Sequence, residues 1–120
     1  MNFKSKLVKD LKAITGDKYI LTAEWSKQHY CKGWRYGAGE ALAVAKPGTL
    51  LEIWKILKIC VEADIIVIMQ AANTGLTGGS TPSGDDYDRP IIIINTLRID
   101  SIQIINEGKQ IIGLPGSTLF

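Results

Sequence analysis

Apolar residues recur at helical spacing near the start of the chain. Phe3, Leu7, Leu11 and Ile14 share one face, with Lys4, Lys6, Lys9, Asp10 and Lys12 between them. This pattern predicts a surface helix packed by a single stripe and stopped at Gly16. Residues 41–45 (Ala-Leu-Ala-Val-Ala) form a short apolar run closed by Lys46-Pro47-Gly48, which predicts a buried strand. Thr49, followed three residues later by Glu52, predicts a capping box. Behind it Leu50, Ile53, Trp54, Leu57, Cys60 and Val61 fall on one helical face, and Glu52, Lys55, Lys58 and Glu62 on the other. Apolar runs at 65–69 and 91–94 predict two more strands, the first of them central in a parallel sheet. Strand, capped helix and strand make a βαβ unit, with parallel strands and a right-handed crossover. Residues 102–105 and 110–114, joined by Asn106-Glu107-Gly108-Lys109, predict an antiparallel hairpin. The class is α+β.

Residues 19–34 carry a weaker pattern. Thr22 is a candidate cap for a short helix through Glu24, Trp25 and Lys27. Trp25, His29, Tyr30, Trp34, Arg35 and Tyr36 suggest a stacking or anion site, against which stands simple packing of an irregular segment, the safer account. His29 is the only histidine, and no second ligand stands at metal-binding spacing from it.

Chemistry concentrates in residues 70–82, Gln-Ala-Ala-Asn-Thr-Gly-Leu-Thr-Gly-Gly-Ser-Thr-Pro, at the end of the 65–69 run. Gly75, Gly78 and Gly79 remove side-chain bulk, so successive backbone N–H groups can turn inward together. Thr74, Thr77, Ser80 and Thr81 add hydroxyl donors, and no carboxylate interrupts the array. Such a concave set of donors suits a phosphate or pyrophosphate, and open α/β sheets place ligands at the carboxyl ends of strands. A flexible turn is the plain alternative. Asp85, Asp86 and Asp88 follow, without the later glutamate and length of an EF-hand, and are assigned to a solvated turn.

Composition narrows the classes. The chain has 120 residues, 46% hydrophobic, with a formal net charge of +2. That suits one small domain or part of a larger one. The lysines are scattered, so no nucleic-acid or anionic-membrane footprint is expected. Cys31 and Cys60 lie far apart, Cys60 on an apolar helix face, which points to a structural thiol and a reducing compartment. No apolar run approaches the roughly 20 residues that span a bilayer.

The run from Gly39-Glu40-Ala41-Leu42 through Pro47-Gly48-Thr49-Leu50 to Gln70-Ala71-Ala72-Asn73-Thr74-Gly75-Leu76-Thr77-Gly78-Gly79-Ser80-Thr81-Pro82 resembles FAD-linked oxidases of the vanillyl-alcohol-oxidase type. Within them, Ser83-Gly84-Asp85-Asp86-Tyr87-Asp88-Arg89 points to the respiratory, quinone-dependent D-lactate dehydrogenases. The resemblance implies the first subdomain of a PCMH-type FAD-binding domain, a small parallel sheet with helices, followed by the opening hairpin of the second. It divides the chain into an N-terminal helix and irregular segment (1–40), a βαβ subdomain with the pyrophosphate loop (41–98) and the start of a second subdomain (99–120). It carries Ala71, Ala72, Asn73, Thr74, Gly75, Gly79 and Ser80 over as contacts of a noncovalent FAD. It further implies oxidation of D-lactate to pyruvate, with electrons passed to a membrane quinone, by an enzyme in the cytoplasm or peripheral on the cytoplasmic face of the inner membrane. Catalytic and substrate residues would follow Phe120, so none is named, and the chain is expected to be an inactive fragment. A stand-alone phosphate-binding module and a partner subunit of a split flavoenzyme stay open beside it.

Overall fold

The computed structural model describes residues 3–32, 39–73, 79–82 and 87–117. Among these described residues, three helices and six strands follow in the order α1 (Phe3–Thr15), β1 (Ile20–Leu21), α2 (Glu24–Cys31), β2 (Ala43–Ala45), α3 (Leu50–Glu62), β3 (Ile66–Gln70), β4 (Ile91–Asn95), β5 (Ile102–Ile105) and β6 (Gln110–Gly113). Short 3₁₀ turns precede β1 and join β5 to β6.

The first four strands form one sheet in the order β1-β2-β4-β3. β4 pairs in parallel with β2 on one side and β3 on the other, while β1 adds an antiparallel edge. The parallel βαβ arrangement is therefore present, but the 65–69 run is not its centre. β4 lies between β2 and β3, and β3 is an edge strand whose Met69 is exposed. Ile91, Ile92, Ile93 and Ile94 are apolar on both faces and buried on both, which suits the inner position. β2 is also shorter than expected, beginning at Ala43.

Side chains alternate across the sheet. Ala43, Ala45, Ile92 and Ile94 meet Leu7 and Leu11 of α1 and Ile56 and Cys60 of α3. Val44, Ile91 and Ile93 face the other way, toward Cys31 of α2 and Ala41. The result is three layers, with α1 and α3 on one face and α2 on the other.

The helix ends follow local rules. Gly16 N–H bonds Lys12 O at 2.8 Å, and its φ of 90° with ψ of 154° is a backbone state open almost only to glycine, which ends the helix there. Thr49 Oγ1 accepts from Glu52 N at 3.1 Å, and the Glu52 carboxylate accepts in return from Gly48 N at 2.7 Å. The return bond of the predicted box thus falls one residue before the cap.

The packed stripe of α3 differs from expectation. Ile53, Ile56, Leu57 and Cys60 face the core, whereas Leu50, Trp54 and Val61 are exposed. Trp54 is 57% exposed, with Lys58 Nζ 5.3 Å from its ring centre. The helix is apolar on more than one stripe, so its own spacing leaves the rotation undetermined. Contact with α1 and the sheet selects the stripe centred on Ile56.

Residues 24–31 form a full two-turn helix, longer than the short one expected, and Ala23, not Thr22, is its cap. Nor does Trp25 pack against the domain; it is 83% exposed. Lys27 is buried there along with Cys31, donating to Ala41 O at 2.7 Å and pairing with Glu24 at 3.0 Å.

β5 and β6 form a separate two-stranded antiparallel sheet, as the pattern predicts. Its base is tied to the end of β4 by Thr96 Oγ1 donating to Pro115 O at 3.1 Å and Gly116 N–H donating to Ile99 O at 2.7 Å. Gly116 lies so close to the Thr96 and Leu97 carbonyls that any side chain there would collide with the backbone.

Candidate functional site

Parallel pairing brings the carboxyl ends of β3 and β4 side by side, with Gln70 in register with Asn95. Both are polar residues closing an isoleucine-rich strand, and both are buried. The two carboxamides bond each other, Asn95 Nδ2 donating to Gln70 Oε1 at 2.9 Å. Gln70 Nε2 then donates to Tyr30 O at 2.7 Å and to Ser80 O at 2.9 Å. Asn95 Nδ2 also donates to Ala71 O at 3.2 Å, and Asn95 Oδ1 accepts from Leu97 N at 3.1 Å. Reversing either amide would set oxygen against carbonyl oxygen, so the network defines both orientations.

Above this pair the loop closes on itself. Asn73 adopts φ 61°, a left-handed conformation that asparagine tolerates better than most residues. Its Oδ1 accepts from Ser80 Oγ at 2.7 Å, and its Nδ2 donates to Lys32 O at 2.8 Å. One side chain therefore joins the two ends of the loop and anchors them to the segment after α2. Behind the loop Gly39 N–H donates to Cys31 O at 3.1 Å, and a Cβ on Gly39 would lie 2.7 Å from Pro82. This close approach lets the 79–82 segment lie against the backbone following α2.

The loop borders a cavity of about 560 Å³ whose walls include Trp25, His29, Lys32, Ala72, Asn73 and Leu97. Of the residues expected at the site, Ala71, Ala72 and Asn73 line this cavity directly. Ser80 is joined to it through Asn73, and Gly79 is exposed beside Ser80. Thr74 and Gly75 lie outside the described residues, as do Asp85 and Asp86; Asp88 is exposed and bonded to Arg89 at 3.2 Å. A larger hollow, about 680 Å³, runs beside α1 between lysines and Leu42, away from these strand ends.

Gln70 and Asn95 were not legible as site residues, although each is a lone polar residue ending an apolar run. Lys32 was missed as well. No group of three or more metal-binding side chains gathers among the described residues. Both cysteines are buried and free. Burial pushes the Cys60 thiol up to about 11, and burial also raises Cys31 despite the neighbouring Lys27 charge. Thiolate chemistry at neutral pH is disfavoured at both.

The donor set can hold an anion: small residues, amide and hydroxyl side chains, a nearby lysine, and no carboxylate within the described loop. The comparisons give this geometry its context. The chain is 60% identical over 114 residues to a quinone-dependent D-lactate dehydrogenase of Haemophilus influenzae, covering 95% of this chain and 20% of that protein. It is similar to one fifth of such an enzyme. The Escherichia coli quinone-dependent D-lactate dehydrogenase is 51% identical, over 92% of this chain and 19% of its own length. The chain thus spans about a fifth of the length of the D-lactate dehydrogenases it matches. No family model matches it.

Among solved structures, alkyldihydroxyacetonephosphate synthase superposes with a TM-score of 0.74 at 12% identity, over 86% of this chain and 20% of that one. p-Cresol methylhydroxylase with substrate bound gives 0.65 at 20% identity, over 84% of this chain and 20% of that one. A berberine bridge enzyme variant gives 0.72 at 16% identity, over 94% of this chain and 24% of that one. What they share with this chain is the fold, a mixed α+β arrangement with a small, mostly parallel sheet and helices. Among the described residues no helix is long and apolar enough to cross a membrane.

Proposed function

We propose that this chain is the N-terminal FAD-binding part of a flavin-dependent D-lactate dehydrogenase that oxidises D-lactate to pyruvate and passes electrons to quinone. One observation carries the reading. The loop closed by Asn73 and Ser80 stands at the carboxyl ends of two parallel strands, in a chain 60% identical to a named enzyme of this activity. In this reading Ala71, Ala72, Asn73, Thr74, Gly75, Gly79 and Ser80 surround the FAD pyrophosphate through backbone N–H groups and short polar side chains. The bound flavin supplies the hydride acceptor and the route for electrons toward quinone. The chain's own share is to bind the anion, orient it and keep carboxylates away from it.

The division at residues 40 and 98, with the hairpin opening a second subdomain, belongs to the same proposal. So do a noncovalent flavin and an enzyme peripheral to the membrane where its quinone resides. Spanning about a fifth of its relatives' length, the 120-residue segment by itself is expected to bind FAD weakly and to be inactive.

Flavin fluorescence titration tests the reading. In a full-length protein carrying this segment, Gly79→Val should weaken FAD binding by about tenfold or more, a β-branched side chain crowding the anion's approach. Asp88→Ala, at an exposed turn, should leave the affinity unchanged. Equal affinities in the two variants would remove the loop from the site, and micromolar binding by the 120-residue chain would contradict its expected weak binding. Flavin retained on acid-precipitated protein would overturn noncovalent attachment; His29, at the cavity wall, is the side chain to examine in that event.

A further inference from the structure

The glycines explain why the loop can approach an anion, but not which way its peptide groups point. A cradle made of backbone works only if N–H groups face the ligand and carbonyl oxygens face away from it. We infer that the Gln70–Asn95 side-chain pair does this sorting, making Gln70 a positioning residue for the anion cradle. The inference rests on the anion-binding reading of the loop and adds a residue-level cause to it.

Three observations converge. Gln70 is only 2% exposed, yet its carboxamide reaches three separate segments: the end of α2 through Tyr30 O, the far end of the loop through Ser80 O, and β4 through Asn95. Asn95 takes the near end of the loop through Ala71 O. The pair therefore captures one main-chain carbonyl on each side of residues 72–79. In a trans peptide the carbonyl of one residue and the N–H of the next point in opposite directions. Holding Ala71 O toward Asn95 turns the Ala72 N–H away from the sheet, and Ala72 lines the cavity. Holding Ser80 O toward Gln70 applies the same constraint at the other end. Residues serving only to fill space at the strand ends would not each need an amide donor aimed at a loop carbonyl. An aliphatic side chain would pack there more cheaply than a buried amide.

The test uses a full-length protein carrying this segment, with the near-isosteric variants Gln70→Glu and Asn95→Asp. Each keeps volume and acceptor atoms but loses the donors that hold the carbonyls. Three quantities are read: FAD affinity by fluorescence titration, unfolding temperature of the flavin-free protein, and amide hydrogen exchange in peptides covering 71–73, 79–82 and 91–95. The expected result is FAD affinity lower by about tenfold or more, the scale of a lost buried hydrogen bond. Saturating FAD should restore turnover. Exchange should quicken in 71–73 and 79–82 and stay slow in 91–95.

Unchanged FAD affinity in folded Gln70→Glu would overturn the inference. So would faster exchange spread evenly into 91–95 with a fall in unfolding temperature, the signature of a merely structural role. Should Gln70→Glu not fold, Asn95→Asp decides on the same readings. Should the unsubstituted protein bind no FAD, the functional reading fails by itself. Exchange in the flavin-free protein, with and without inorganic pyrophosphate, then judges the pair: protection of 71–73 by pyrophosphate that the variants lose supports it, and equal protection overturns it.

Discussion

Two isoleucine-rich segments of this chain meet opposite fates. In β4, Ile92, Ile93 and Ile94 are 0% exposed; in the hairpin, Ile104 is 71% and Ile111 68% exposed. The residue type and the strand conformation are the same. What differs is cover. β4 has a strand on each side, α1 and α3 over one face and α2 over the other. β5 and β6 have only each other, and no helix packs on them among the described residues. Apolar pattern predicts the strand; it does not decide whether a layer lies over it. An exposed apolar surface of this kind marks a place of contact.

The sharpest test of the contrast is Ile93→Ala, which should cost about 2–5 kcal/mol because both faces of β4 are closed and the cavity cannot collapse. Urea unfolding measures it, and a loss equal to that of Ile111→Ala would abolish the distinction between the two sheets. A pH series sharpens it next. The thiol of Cys60, packed against the β4 face, is held up to about 11 from an ordinary 9.0, so the fold favours its protonated form. This contribution is whole below pH 9 and is lost as pH rises through 11. The unsubstituted chain should therefore lose more stability across that window than Cys60→Ala, with exchange in β4 rising as it does.

On α3 the same contrast recurs within one helix. Leu57→Ala should cost about 2 kcal/mol, toward the low end for a leucine that is only partly buried, and Lys58→Ala within about 0.5 kcal/mol. Equal losses would show that the wrong stripe faces the sheet. The smallest effect belongs to the hairpin. Ile104→Thr and Ile111→Thr should change stability by no more than about 0.5 kcal/mol, while reducing self-association in light scattering. A loss like that of Ile93→Ala would mean the hairpin is covered.

Much of this molecule is set by residues close together in sequence. The spacing of Leu7 and Leu11, the stop at Gly16, the Thr49–Glu52 cap and the apolar runs ending at Met69 and Ile94 predict the helices and strands because each depends on neighbours within a turn or two. The loop after β3 is legible for the same reason: its small and hydroxyl residues are contiguous. Other features needed the tertiary structure. The placing of β4 between β2 and β3, and the choice of the Ile56 stripe over the Trp54 stripe, depend on which apolar surfaces meet across long separations. Gln70 shows the division most clearly. Its bonds reach Tyr30, Ser80 and Asn95, spanning 40, 10 and 25 residues of chain. No local pattern encodes such a set, because a hydrogen bond requires a direction and a distance that only the folded chain supplies.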